Sequence, residues 1–193
     1  MAQPLDIRPL LDPEISALLA ASPIDIGAAL GSLTNESVVE IRTMFGATPP
    51  PPLSDSVERI DYPVPGRDGV TVRVHRPKNI TGARPCVYWM HGGGLVIGDN
   101  KMDDARFDNW CNTYGIVGVS VDYRLAPEHP YPTPLDDCYA GLAWVVSHAS
   151  ELGVDTSRLG IGGASAGAGL AAGLALLARD RGEYSVAFQL LIY

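Results

Sequence analysis

The chain has 193 residues, 46% of them apolar and 19% charged, which suits one domain with a sizeable core and argues against disorder. Its 14 basic and 22 acidic side chains give a formal charge of -8, which argues against nucleic acid or an anionic membrane as a partner, since both require a basic face. Met1-Ala2-Gln3-Pro4-Leu5-Asp6 lacks the order of a signal peptide, no apolar run approaches a membrane span, and Cys86, Cys111 and Cys138 lack metal-ligand spacing, so reduced, packed thiols in a cytoplasmic protein are expected.

In chain order, residues 1–52 read as a separate region. Asp12-Pro13-Glu14-Ile15 opens a short helix to about Ala21, with Pro13 at a tolerated early position. Thr34 or Asn35 can cap a second helix with the stripe Val38, Val39, Ile41, Arg42 and Phe45, and Pro49 to Pro52 end it as a stiff linker. Two helices packed on the main body and a cap over an active site both fit this stretch.

Residues 53–193 form the main body. Two alternating runs, Val57 to Val64 and Val70 to Val74, are joined by the turn formers Pro65-Gly66-Arg67-Asp68-Gly69 and predict an antiparallel hairpin. Cys86 to Met90 and Ile116 to Val121 are apolar on both faces, as parallel strands buried by helices are. Helices are expected at about Met102 to Asn112 and Pro134 to Ser150. The second has Thr133 as cap, Pro134 in its first position, Asp136 and Asp137 complementing its dipole, and the apolar stripe Leu135, Cys138, Tyr139, Leu142, Val145 and Val146. A strand from Arg158 to Ile161, a helix from Ala166 to Ala178 and a strand from Val186 to Tyr193 follow. This alternation predicts an α/β fold with a mostly parallel twisted sheet and helices on both faces. The final apolar strand has no neighbour or covering helix in the sequence, so further strands and helices are expected from a downstream segment or a second chain.

Three stretches fall at the carboxyl edge of this sheet, where α/β folds place their sites. Gly163-Ala164-Ser165-Ala166-Gly167 puts a serine at a strand-to-helix joint, the arrangement of a nucleophile elbow. Its backbone N–H at Ala166 sits at a helix N-terminus, where negative charge is favoured. A dinucleotide loop is the rival reading: Gly167-Ala168-Gly169-Leu170-Ala171-Ala172 fits the pattern, but lies inside the helix instead of opening it. A Walker loop fails for want of Lys-Ser/Thr. His91-Gly92-Gly93-Gly94 follows the strand ending at Met90, and its glycine N–H groups can face a cavity and bind an oxyanion. Asp122 to Pro132 form a third loop stiffened by three prolines.

With His-Gly-Gly-Gly, Tyr-Arg-Leu-Ala-Pro-Glu (Tyr123 to Glu128) and Gly-Ala-Ser-Ala-Gly in this order, the chain resembles the hormone-sensitive-lipase-like (bacterial family IV) esterases of the α/β-hydrolase superfamily over roughly residues 50–193. The N-terminal helices are similar to the family's cap. The resemblance implies hydrolysis of short- to medium-chain carboxylic esters without a cofactor. It implies that Ser165 is the nucleophile, that Gly93, Gly94 and Ala166 donate to the oxyanion, that Gly92 shapes the loop and that His91 is structural. It extends equally to receptor-like members that bind a small molecule and have lost catalysis. Ala164 departs from the pattern, since many members carry Asp there.

The larger departure is the missing base. The triad of this fold runs Ser, then Asp or Glu, then His, yet no histidine follows Ser165. Asp180 and Glu183 read as solvated charges, His75 and His148 as structural, and His91 and His129 as poor substitutes for a base. The triad acid and histidine are therefore expected from a segment absent from this chain, and the chain alone is expected to be nearly inactive. Leu95, Met44, Phe45 and Ile24 are candidate pocket-lining groups.

Overall fold

The computed structural model describes residues 10–21, 31, 33–35, 37–46 and 52–193. The chain divides into two compact units, Met1–Glu40 and Ile41–Tyr193. In the smaller unit, α1 (Pro13–Ala21) begins where expected: the Asp12 carboxylate accepts the Glu14 N–H at 2.8 Å, leaving Pro13 in the first turn. Of the two candidate caps for α2 (Ser37–Gly46), Thr34 serves. Its Oγ1 accepts the Ser37 N–H at 3.2 Å, and Ser37 Oγ accepts the Thr34 N–H at 2.9 Å, a reciprocal pair of the capping-box kind. Pro49 to Pro51 of the expected linker lie outside the described residues.

The larger unit is organised on a six-stranded sheet. Its strands are β1 (Val57–Pro63), β2 (Thr71–Pro77), β3 (Arg84–Met90), β4 (Val117–Asp122), β5 (Val154–Ala164) and β6 (Gln189–Ile192), in the spatial order β1-β2-β4-β3-β5-β6. β1 and β2 form the expected antiparallel hairpin, and β2 is also antiparallel to β4. The pairings of β3 with β4, β3 with β5 and β5 with β6 are all parallel, so the carboxyl ends of these strands share one edge.

The run Cys86 to Met90 is apolar throughout because both faces of β3 are covered. Successive side chains point to opposite faces. Cys86, Tyr88 and Met90 enter a main core with Val119, Cys138, Leu142 and Leu174, whereas Val87 and Trp89 join Phe107 in a second, smaller core. α4 (Thr133–Ser147) and α6 (Ala166–Arg181) supply the first core, and α3 (Asp104–Tyr114) the second.

Several boundaries differ from the sequence expectation. Thr133 is the first residue of α4, not its cap; Pro132 holds the cap position without a side-chain hydrogen bond, and Pro134 still falls within the first turn, where its missing N–H costs nothing. The helix stops at Ser147, not Ser150. His148 turns back on it, both its N–H and Nδ1 engaging the Trp144 carbonyl, and a single turn, α5 (Ala149–Leu152), follows before Gly153 at φ +70°. β5 starts four residues before Arg158, in a polar stretch with no apolar signature, and β6 is confined to four residues.

All three cysteines are free and buried, and burial pushes the Cys111 thiol up to about 12. His75 is fully buried on β2 and stacks on Phe107 at 4.6 Å. Burial, aided by Arg73 and Arg59, holds its pKa down at about 3. Among the described residues, no helix is long and apolar enough to cross a membrane. Leu190 and Leu191 of edge strand β6 are exposed, as are the neighbouring Phe188 and Tyr193.

Candidate active site

Ser165 stands between the last residue of β5 and the first of α6, with φ +54° and ψ -121°. A residue with a Cβ in this region costs on the order of 1–3 kcal/mol unless its surroundings over-determine it. Here they do. Its N–H donates to Ile192 O of β6 at 2.8 Å, and its carbonyl accepts the N–H groups of Ala168 and Gly169 at 3.0 and 3.2 Å. The flanking glycines are demanded by close approach. A Cβ on Gly163 would overlap the backbone of Gly167 and Ala168, and one on Gly167 would overlap the carbonyls of Met90 and His91. Their absence lets α6 start hard against the ends of β5 and β3. The Ser165 side chain is exposed, and its hydroxyl caps no helix N–H.

The loop after β3 lies against this elbow. A Cβ built on Gly92 would sit 3.6 Å from Ser165 Cβ and 3.1 Å from Ala164 O. Beyond it the backbone enters the left-handed region, with φ +116° at Gly93, +65° at Gly94 and +66° at Leu95. A tight turn closes there, as Gly93 O accepts the N–H groups of Val96 and Ile97 at 3.1 and 3.0 Å. The N–H groups of Gly93, Gly94 and Ala166 donate to no acceptor among the described residues. Chemically, such fixed and unused donors can stabilise negative charge developing on an oxygen.

His91 is buried beneath the loop. Its Nδ1 donates to Gly92 O at 2.7 Å, and its ring stacks on Tyr123 at 4.2 Å. Burial lowers its pKa, so the ring is neutral at physiological pH and acts on the loop through packing and one hydrogen bond.

The loop after β4 braces the glycine loop and is itself tied to α4 and α2. Tyr123 Oη donates to His91 O at 2.7 Å. Arg124 makes a two-pronged bond to the fully buried Asp137 of α4, both contacts at 2.8 Å, and its backbone N–H adds a third at 3.1 Å. The Ala126 N–H donates to Leu95 O at 2.9 Å. Glu128 pairs with Arg42 at 2.8 and 2.9 Å, and that pairing holds its carboxyl down at about 2.

The remaining candidates stay apart. Asp180 pairs with Arg179, and Glu183 accepts from Tyr139 Oη, both at the end of a 16-residue helix whose start carries Ser165. A helix of that length separates its ends by about 24 Å. His75 bonds Ser120, His148 bonds Trp144, and the His129 N–H closes a turn on Leu125 O. The described residues thus contain the elbow and the glycine loop without a base bonded to the serine. Leu95 packs partly buried on the main core; Ile24, and the side chains of Met44 and Phe45, lie outside what the structure describes. A cleft of about 600 Å³ lined by Arg76, Lys78, Arg84 and Glu151 is formed at the opposite, amino end of the parallel strands. Arg42 and Asp137 were not legible as parts of this cluster. Arg42's partners lie 54 to 86 residues away, Asp137 bonds Arg124 13 residues before it and also pairs with the more distant Arg67 at 3.7 Å, and no local pattern announces such pairs.

A family model for the α/β-hydrolase fold matches residues 87–193. The chain is 40% identical to carboxylesterase NlhH of Mycobacterium tuberculosis, over 100% of this chain and 60% of that protein. It is 33% identical to esterase LipI of the same organism, over 97% of this chain and 58% of the relative. Among solved structures, a bacterial heroin esterase superposes with a TM-score of 0.76 at 40% identity, covering 95% of this chain and 57% of the other. The chain therefore spans about 60% of the length of the curated relatives it matches.

Proposed function

Since this chain belongs to the α/β-hydrolase family, in the hormone-sensitive-lipase-like group its motifs resemble, we propose that it carries the nucleophile and oxyanion half of a carboxylic ester hydrolase. The observation that carries the reading is the seating of Gly92 against Ser165, which brings an exposed serine hydroxyl beside a loop with unused N–H donors. In this reading, Ser165 Oγ attacks the acyl carbon of the ester and a histidine takes its proton. The carbonyl π pair moves onto oxygen, where Gly93, Gly94 and Ala166 donate to it while Gly92 leaves room for the approach. The pair then returns, the C–O bond to the alcohol breaks, and the histidine passes the proton to the departing alkoxide. Water attacks the acyl-enzyme by the same path, releasing the carboxylic acid and restoring the serine.

The acid and histidine of the triad are assigned to residues outside this chain, in the same polypeptide or a second one. No cofactor takes part. Short- to medium-chain acyl esters are the substrate class, and three buried free thiols fit a cytoplasmic location. The test is Ser165→Ala in the protein complete with that segment. Loss of at least about 1000-fold in turnover of a p-nitrophenyl short-chain ester is expected. Undiminished turnover would overturn the assignment, and tight ligand binding without turnover in the unmutated protein would favour a receptor-like role instead.

A further inference from the structure

Arg42 lies in α2 within the larger unit, in none of the three motifs, and its guanidinium reaches two of the loops at once. Nε donates to Val96 O at 2.7 Å, and Nη2 to Ala126 O at 2.8 Å. Nη1 and Nη2 also grip both oxygens of Glu128. One side of this grip continues toward the serine. Val96 O and the Ile97 N–H belong to one planar peptide unit, so fixing the carbonyl fixes the N–H. That N–H donates to Gly93 O at 3.0 Å. Gly93 O and the Gly94 N–H again share a peptide plane. The guanidinium is thus joined through two rigid peptide units to a candidate oxyanion donor. The second grip, on Ala126 O, braces the segment whose N–H holds Leu95 O, in the same strained turn.

From this relay we infer that Arg42 is a positioning residue, which orients the Gly94 N–H toward the developing oxyanion by clamping the Val96–Ile97 peptide unit. The inference rests on the ester hydrolase reading for its consequence and on the hydrogen-bond geometry for its structural part, and the two are separately testable. The oxyanion forms only after the substrate is bound, in the tetrahedral intermediate and the transition states flanking it, so a misdirected donor lowers kcat and leaves substrate binding alone.

The experiment compares Arg42→Ala, Arg42→Lys and Glu128→Gln in the protein complete with its triad segment. Arg42→Ala is expected to lower kcat about 10- to 100-fold with KM within about twofold, and to weaken a boronic acid transition-state analogue by the same factor. Arg42→Lys, whose compact ammonium cannot span both carbonyls, is expected to lose at least about 3-fold in kcat. Glu128→Gln keeps both carbonyl grips and stays within about twofold. Amide hydrogen exchange at Ile97 supplies the readout independent of catalysis: it is expected to quicken at least about 10-fold in Arg42→Ala and not in Glu128→Gln. A folded Arg42→Ala or Arg42→Lys with unchanged kcat and analogue affinity would overturn the inference, as would unchanged exchange at Ile97. Should the alanine variant fail to fold, the lysine variant decides. A wild-type protein without ester turnover refutes the hydrolase reading instead, and the exchange data still judge the clamp.

Discussion

The two loops that leave β3 and β4 stand side by side and work in opposite ways. Loop 91–98 is a backbone loop. Gly93, Gly94, Leu95 and Gly98 all take positive φ, and candidate donors within it are left bare. Loop 123–132 is a side-chain loop, in which Tyr123, Arg124 and Glu128 each close a specific bond onto another part of the fold. A loop that keeps its N–H groups free for a passing charge cannot use them to hold itself. The division of labour is physical: one loop presents, the other, with Arg42 and His91, restrains. This also explains why the segment Tyr123 to Glu128 bonds the glycine loop through His91 O and Leu95 O.

The sharpest way to break the presenting loop is Gly93→Ala. Its Cβ would overlap the Ile97 carbonyl, at a φ that an L side chain rarely adopts. The expected cost is about 3–4 kcal/mol in stability, with at least about 100-fold lost in turnover by the complete protein, measured by urea unfolding and steady-state kinetics. The matching break in the restraining loop is Asp137→Ala. It strips a fully buried carboxylate from Arg124, whose side chain keeps 25% exposure. About 3 kcal/mol should be lost, at the low end for breaking a buried pair because the orphaned guanidinium can reach water.

His75 calibrates both, because it is buried away from either loop among Arg73, Arg59, Asp108, Asp104 and Ser120. Its folded pKa of about 3 lies below the ordinary 6.5, so the unfolded chain binds the extra proton between those values. Its contribution is complete above pH 6.5 and is lost as pH falls toward 3, at about 1.4 kcal/mol per pH unit. Between pH 7 and pH 5 the unfolding free energy should therefore drop by about 2 kcal/mol through this group, and His75→Gln should remove that share of the slope. The smallest effect sharpens the comparison within one loop. At Gly94 an added Cβ meets only Val96 Cγ2, at an ordinary 3.8 Å, so Gly94→Ala should cost only the left-handed backbone term, about 1 kcal/mol.

Much of this was legible in the sequence, for a reason visible in the structure. The strands and helices follow from burial on both faces of β3 and from the stripe on α4, where Cys138, Tyr139, Leu142 and Val145 are buried. The elbow and glycine loop are legible because local backbone demands fix residue type: Gly163 and Gly167 admit no Cβ, and Gly93 takes an unusual φ. What escaped reading depends on distant or polar partners. The first half of β5 carries Asp155, Ser157 and Arg158, which bond one another and give no apolar period. Arg42 read as one member of a helical stripe, and Asp137 as a dipole partner, because their bonds to other elements leave no trace in local spacing. The break after Ser147 escaped because His148 folds back on Trp144 within an otherwise helical stretch.

The most direct measurement is the structure of the complete protein after reaction with an alkyl fluorophosphonate, which mimics the tetrahedral adduct. Phosphorus bonded to Ser165 Oγ, with the phosphoryl oxygen about 2.7–3.1 Å from the nitrogens of Gly93, Gly94 and Ala166, is the predicted result. An unlabelled Ser165, or an adduct whose oxygen points away from all three amides, would contradict it.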